Sequence, residues 1–201
     1  MAYKIVVDSG HGGEDPGAVY PGRQEKEDTL RLALEVGRLL EAGGQDVVYT
    51  RTTDVYQTPF EKAQIANREE ADYFISIHRN SSPRPNQYQG VETLIYDKSG
   101  IKLKMAEAIN GALEEVGFRN LGVKERPGLV VLRRTNMPAL LVEAGFINND
   151  QDNQLFDENL QKSQEQFLRR FSVHWIRKLW KIHFYIGCRW EFSEIKKMQT
   201  G

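Results

Sequence analysis

Short β-branched runs alternate with longer stretches of helical period along most of this chain, and that alternation restricts it to layered α/β folds. The run KIVVD over 4–8 predicts a buried strand, and a glycine-rich turn over 10–17 follows it. Over 27–41, Leu30, Ala33, Leu34, Gly37 and Leu40 recur at helical spacing until Gly43-Gly44 stops the helix. Further strands are expected over 46–50, 73–78, 91–96, 129–132 and 139–144. Helices are expected from Pro59, over 101–116, and from Asn149 or Asp150 to about 167. Between 79 and 89, Pro83 and Pro85 predict a loop. The run 139–144 is almost continuously apolar yet carries Glu143, which suits a central strand covered on both faces. The pattern implies helices on both faces of a mainly parallel or mixed sheet. Sites in such sheets gather beyond the carboxyl ends of the strands, so the polar residues there matter most.

Composition narrows the classes. At 201 residues the chain is one domain, or one domain with an appendage, and needs no disulfide or metal merely to fold. A net charge of -1 argues against a nucleic-acid binder that relies on bulk positive charge. The single cysteine, Cys188, excludes an internal disulfide framework and a Cys-rich zinc site, and is expected to be a free thiol. No apolar run approaches the ~20 residues of a membrane helix, so no stable membrane insertion is expected. The chain enters a strand-like run directly after Met1, and no secretory signal is visible. The composition changes near 165–170. All three tryptophans, Trp175, Trp180 and Trp190, lie beyond it, where Lys and Arg outnumber Asp and Glu eight to two. A unit over 1–167 and an atypical basic tail over 168–201 are expected. Over 167–180 the tail reads as a helix packing its aromatic side on the sheet; the alternative is affinity for sugars and anionic polymers.

Three polar segments stand at strand or helix ends: Asp8-Ser9-Gly10-His11-Gly12-Gly13, Glu25-Lys26, and Ser76-Ile77-His78-Arg79-Asn80-Ser81. Two imidazoles and one carboxylate converging from such ends form the ligand set of catalytic zinc, three protein ligands with a position left for water. Zinc held this way lowers the pKa of water to about 7. Taken singly, each residue has a plainer reading. His11 alone is a hydrogen-bonding residue on a turn. Glu25, Glu27 and Asp28 equally suit the start of a helix, where the dipole favours negative charge, and composition does not choose among them. Glu143 is either an ion-pair partner of Arg51 or Arg133, or a carboxylate that moves a proton beside the metal.

Taken together, the first two segments, Ser76-Ile-His-Arg-Asn-Ser and Val142-Glu-Ala-Gly-Phe-Ile-Asn resemble the zinc-dependent N-acetylmuramoyl-L-alanine amidases, bacterial cell-wall hydrolases, from about residue 4 to 167. The resemblance implies a twisted, mostly parallel sheet of about six strands with helices on both faces. It implies His11, Glu25 and His78 as ligands of Zn2+, choosing Glu25 through its Glu-Lys pair, and Glu143 as the catalytic acid/base. It implies peptidoglycan as substrate, cut at the amide between N-acetylmuramic acid and L-alanine, in a groove flanked by loops 12–24, 79–90 and 122–128. Asn80 is a candidate donor to the oxyanion. Arg79, where the family carries a small residue or Asn, faces either a substrate carboxylate or solvent. Ser9, itself small, stands where the family usually has Ala or Pro, and no consequence is expected. The alternative function is a wall-binding or regulatory module on the same fold. A monomer acting on the wall is expected, and the chain reads equally as a phage lysin, an autolysin freed at lysis, or a catalytic domain of a longer exported protein.

Overall fold

A computed structural model describes residues 2–161. The expectations for 168–201, for Cys188 and for the last helix past 161 lie outside the described residues. In chain order the elements are β1 (Lys4–Ser9), β2 (Val19–Tyr20), β3 (Arg23–Gln24), α1 (Glu25–Ala42), β4 (Asp46–Tyr49), α2 (Pro59–Arg68) and β5 (Tyr73–Asn80), followed by β6 (Val91–Ile95), α3 (Gly100–Glu115), β7 (Asn120–Glu125), α4 (Val130–Arg133), β8 (Ala139–Phe146) and α5 (Asp150–Gln161). Six strands form one sheet in the order β4-β1-β5-β8-β6-β7. Neighbours run parallel except β6 against β8, so the sheet is mostly parallel, as expected.

Strand alternation divides the side chains between two cores. Ile5, Val7, Ile75, Ile77, Leu140 and Val142 pack on one face under α1, α3 and α5. Val6, Phe74, Leu94 and Leu141 pack on the other, against Ala66 of α2 and Val131 and Leu132 of α4. Both faces of β8 are thus covered, which is why its sequence is apolar at consecutive positions. Burying each of its leucines contributes about 1.5–3 kcal/mol. Local signals agree with this packing. Thr58 and Glu61 form a reciprocal capping box, with Pro59 in the first turn, and together they set where α2 begins.

Two expectations fail. Residues 129–132 form no strand: α4 is one helical turn there, burying Val131 and Leu132. A four-residue apolar run has no period by which strand and buried helix differ. The sixth strand is instead β7, whose sequence NLGVKE is too polar to announce itself because it lies at a sheet edge. The expected end of β5 at His78 is also too early, since the strand continues to Asn80. Between His78 and Asn80 the register with β8 shifts, with Ala144 and Gly145 opposite the single residue Arg79. Gly145 takes φ 85° at this bulge, a conformation that favours glycine.

The consequence for the site is a polar row on the α2/α4 face. Asp8 is in register with Ser76, His78 with Glu143, and Glu143 with Glu92 on β6. Polar side chains from β1, β5, β8 and β6 therefore line up across four adjacent strands.

Candidate metal centre

His11 lies just past the end of β1 with φ 58°. A non-glycine residue held there costs on the order of 1–3 kcal/mol, so its surroundings must impose it. Gly12 and Asp15 exchange backbone hydrogen bonds that close the turn. The Asp15 carboxylate lies 2.8 Å from His11 Nδ1, which makes that nitrogen a donor and aims Nε2 inward.

Glu25 opens α1 and is buried. Its Oε1 lies 3.1 Å from His11 Nε2 and 3.0 Å from His78 Nδ1, and accepts from the Arg79 backbone N–H at 3.0 Å. Its Oε2 accepts from the Ala18 N–H at 2.9 Å. Burial alone would raise the Glu25 pKa. Hydrogen bonds from both imidazoles, and their charge, outweigh it and hold the carboxyl far below the usual carboxylate range. Burial pulls the His11 pKa down, but bonds to Glu25 and Asp15 bring it above its ordinary value.

The two imidazole rings meet edge to face with centroids 4.9 Å apart. One donor atom from each of His11, Glu25 and His78 lies within 4.8 Å of the others. About a fifth of each imidazole side chain remains exposed, 23% and 20%, so the cluster opens to solvent. Two nitrogens and a carboxylate oxygen, close, buried on one side and open on the other, can hold a divalent metal ion. Two glycines leave the room. A Cβ on Gly10 would lie 2.5 Å from His78 Cε1, and one on Gly17 would lie 2.6 Å from His11 Cδ2 and 2.7 Å from Glu25 Oε2.

Glu143 stands beside His78 on the next strand. Its Oε2 is buried without a hydrogen-bond partner, and neither Arg51 nor Arg133 forms an ion pair with it among the described residues. Burial, opposed by the His78 charge and reinforced by Glu25 and Glu92, pushes its pKa up to about 7. An orphaned buried carboxylate oxygen costs free energy, and a metal ion or a water molecule next to it offsets that cost.

Sequence reasoning missed Glu92, the next carboxylate in the row. It is buried, accepts from Asn80 Nδ2 at 3.1 Å and pairs with Lys124. The available signal was an acidic residue inside the apolar run VETLI. Lys62 was missed as well. It leaves α2 to meet Asp8 Oδ1 at 2.9 Å and the Ser9 carbonyl at 2.5 Å, anchoring β1 just before the His11 turn.

Arg79 requires correction. Because β5 continues through it, its side chain takes the face opposite to His78. It is fully buried, donates to Asp28 Oδ2 at 2.6 Å and Asn153 Oδ1 at 2.8 Å, and its guanidinium lies 4.1 Å from the Phe156 ring centroid. Its guanidinium is sealed from solvent, on the face opposite to His78. Burial lowers its pKa to about 10, against the pull of Asp28, so it stays charged.

Comparison with known proteins bears on the family and the fold. The profile of the N-acetylmuramoyl-L-alanine amidase family matches residues 5–167. The sporulation-specific N-acetylmuramoyl-L-alanine amidase of Bacillus subtilis is 38% identical over 153 residues, 74% of this chain and 58% of that protein. The endolysin of Bacillus phage SPP1 is 34% identical over 154 residues, 74% of this chain and 56% of that protein. The chain thus spans little more than half the length of these curated relatives. The catalytic domain of CwlV, an N-acetylmuramoyl-L-alanine amidase of Bacillus (Paenibacillus) polymyxa, superposes with a TM-score of 0.76 at 28% identity, covering 90% of this chain and 99% of that domain. The mostly parallel six-stranded sheet, the His-Glu-His cluster and these matches lead to one assignment: the chain belongs to the N-acetylmuramoyl-L-alanine amidase family.

Proposed function

We propose that this chain hydrolyses the amide between N-acetylmuramic acid and L-alanine in peptidoglycan, acting at the cell wall, with zinc held by His11, Glu25 and His78. The observation that carries the reading is the unpartnered buried oxygen of Glu143 beside this donor cluster. Two imidazoles and one carboxylate suit zinc. Zinc in this cradle supplies Lewis-acid polarisation of the amide carbonyl and acidifies water. Asp15 keeps His11 in the ligating tautomer, and the N–H groups of Ala18 and Arg79 orient the Glu25 carboxylate. Glu143 takes a proton from the attacking water and delivers it to the departing nitrogen of L-alanine. A carboxyl with a pKa near 7 suits both halves of that transfer. Asn80 spends one amide hydrogen on Glu92, and its second is the candidate donor to the oxyanion.

We take 1–167 as the catalytic unit, supported by the family match over 5–167. The test is digestion of purified peptidoglycan and mass analysis of the fragments. A free L-alanine amine on the released peptides is expected; release of reducing sugars with intact muramoyl-peptide bonds would refute the assignment.

A further inference from the structure

Arg51 is 3% exposed and forms no ion pair among the described residues, an unusual state for a buried guanidinium. Apart from the Thr53 carbonyl of its own segment, its hydrogen-bond partners are oxygens of the two segments that carry His11 and Glu25. Nη2 donates to the Gly10 carbonyl at 2.9 Å and the Lys26 carbonyl at 2.8 Å, the residues next to His11 and Glu25. It also lies 3.3 Å from Thr29 Oγ1, which itself donates to the Gly10 carbonyl at 2.7 Å. Nε reaches the Ser9 carbonyl at 3.4 Å, and Nη1 reaches the Thr53 carbonyl at 3.1 Å. Three residues on, Asp54 completes the enclosure. Its Oδ1 accepts from the Gly13 N–H at 2.7 Å, and its Oδ2 meets Lys26 Nζ at 2.7 Å. The segment 51–54 therefore grips the His11 turn on both sides and ties each grip to the first turn of α1.

We propose that Arg51, assisted by Asp54, is a positioning residue for the metal cradle: it fixes the His11 turn at the spacing from Glu25 that binding an ion requires. The proposal rests on the zinc reading above. Its physical basis is that His11 occupies a left-handed conformation its own chain does not favour, so the geometry must be imposed from outside. The planar guanidinium fork suits the task because it can bridge several carbonyls of fixed direction at once.

Electrostatics alone predicts the opposite outcome, which makes the test decisive. Removing a buried cation near a divalent ion should tighten binding; losing the positioning should weaken it. Zinc affinity is measured by competition with a chromophoric chelator, and the visible spectrum of the cobalt-loaded protein reports coordination. For Arg51→Met we expect a dissociation constant raised at least ~10-fold, in the range seen for residues supporting metal ligands, with an altered cobalt spectrum. Arg51→Lys should recover only part of the loss. Asp54→Ala, at an exposed position, should fold normally and weaken zinc binding in the same direction, and it carries the test if Arg51→Met does not fold. Ile109→Ala, in the opposite core, serves as a control that lowers stability and leaves zinc affinity unchanged. Wild-type or tighter zinc binding in folded Arg51→Met, or in Asp54→Ala when Arg51→Met does not fold, would overturn the proposal. Failure of the wild-type chain to bind zinc or cobalt would overturn the zinc reading and this inference with it.

Discussion

Gly10→Ala is expected to destroy the metal site while leaving the fold almost untouched. Gly10 has no positive φ, so alanine is compatible with its backbone, and the substitution acts through its methyl group alone. That methyl would lie 2.5 Å from His78 Cε1 and 2.7 Å from both ring nitrogens. Ordinary contact begins near 3.4 Å, so the imidazole must retreat by about 1 Å, twice the roughly 0.5 Å that a working site tolerates. A displaced ligand should lose at least as much as a lost supporting bond, a 10–100-fold fall in metal affinity, or about 1.4–2.8 kcal/mol. Folding stability should move by no more than about 1 kcal/mol, because stiffening the unfolded chain partly offsets the clash. Zinc affinity comes from chelator competition, stability from urea unfolding of the metal-free protein, and activity from dye release by labelled walls. Gly128→Ala is the matched control, since no atom lies within 4 Å of its Cβ position and its φ is not positive. Zinc affinity in Gly10→Ala equal to that of the control would show that His78 does not stand where the reasoning needs it.

Other expectations bear on chemistry and stability. Glu143→Gln should keep zinc and lose about 10²–10⁴-fold in activity; a wild-type rate on peptidoglycan would remove its proton-transfer role. In the metal-free protein the raised Glu143 pKa implies stability present below its unfolded value of 4.5 and lost as pH climbs to about 7; urea titrations should show that loss, and show it diminished in Glu143→Gln. Asp8 behaves in the opposite sense. Burial would raise its pKa, but Lys62, Ser76 and Thr50 outweigh it, so its stabilising share is present above 3.8 and disappears as pH falls through the lowered folded value. Lys62→Met should therefore cost about 3–5 kcal/mol at neutral pH, and less once acid protonates Asp8; a cost that does not vary with pH would refute the pairing. Arg79→Met should lower the melting temperature and leave KM for peptidoglycan unchanged, because the guanidinium is sealed between Asp28 and Phe156; a KM effect without loss of stability would reopen a substrate role.

Much of this protein can be read one residue at a time. Strand and helix alternation, the Gly43-Gly44 stop, the Pro59 start and the two-sided burial of β8 are local in origin, since propensity and periodicity act over a few neighbouring residues. The polar segments after β1 and β5 were visible for the same reason. Composition left Glu25 tied with Glu27 and Asp28, because all three suit a helix start. What separates them is that Glu25 lies between two imidazoles arriving from β1 and β5, while Asp28 turns to Arg23 and Arg79. Arg79 was misread because its face depends on two further residues of β5 and on a bulge opposite, both settled by pairing with β8. Glu92 stayed hidden, and Arg51 was seen only as a candidate partner of Glu143, because their main partners are remote in the chain: Glu92 meets Asn80 and Lys124 from other strands, and Arg51 meets the carbonyls of Lys26, Gly10 and Ser9, twenty-five to forty-two positions away. Local sequence thus determined the elements and their order, whereas the face each polar side chain takes, and what it meets there, came only from strand register and packing, where residues distant along the chain first come within hydrogen-bonding reach.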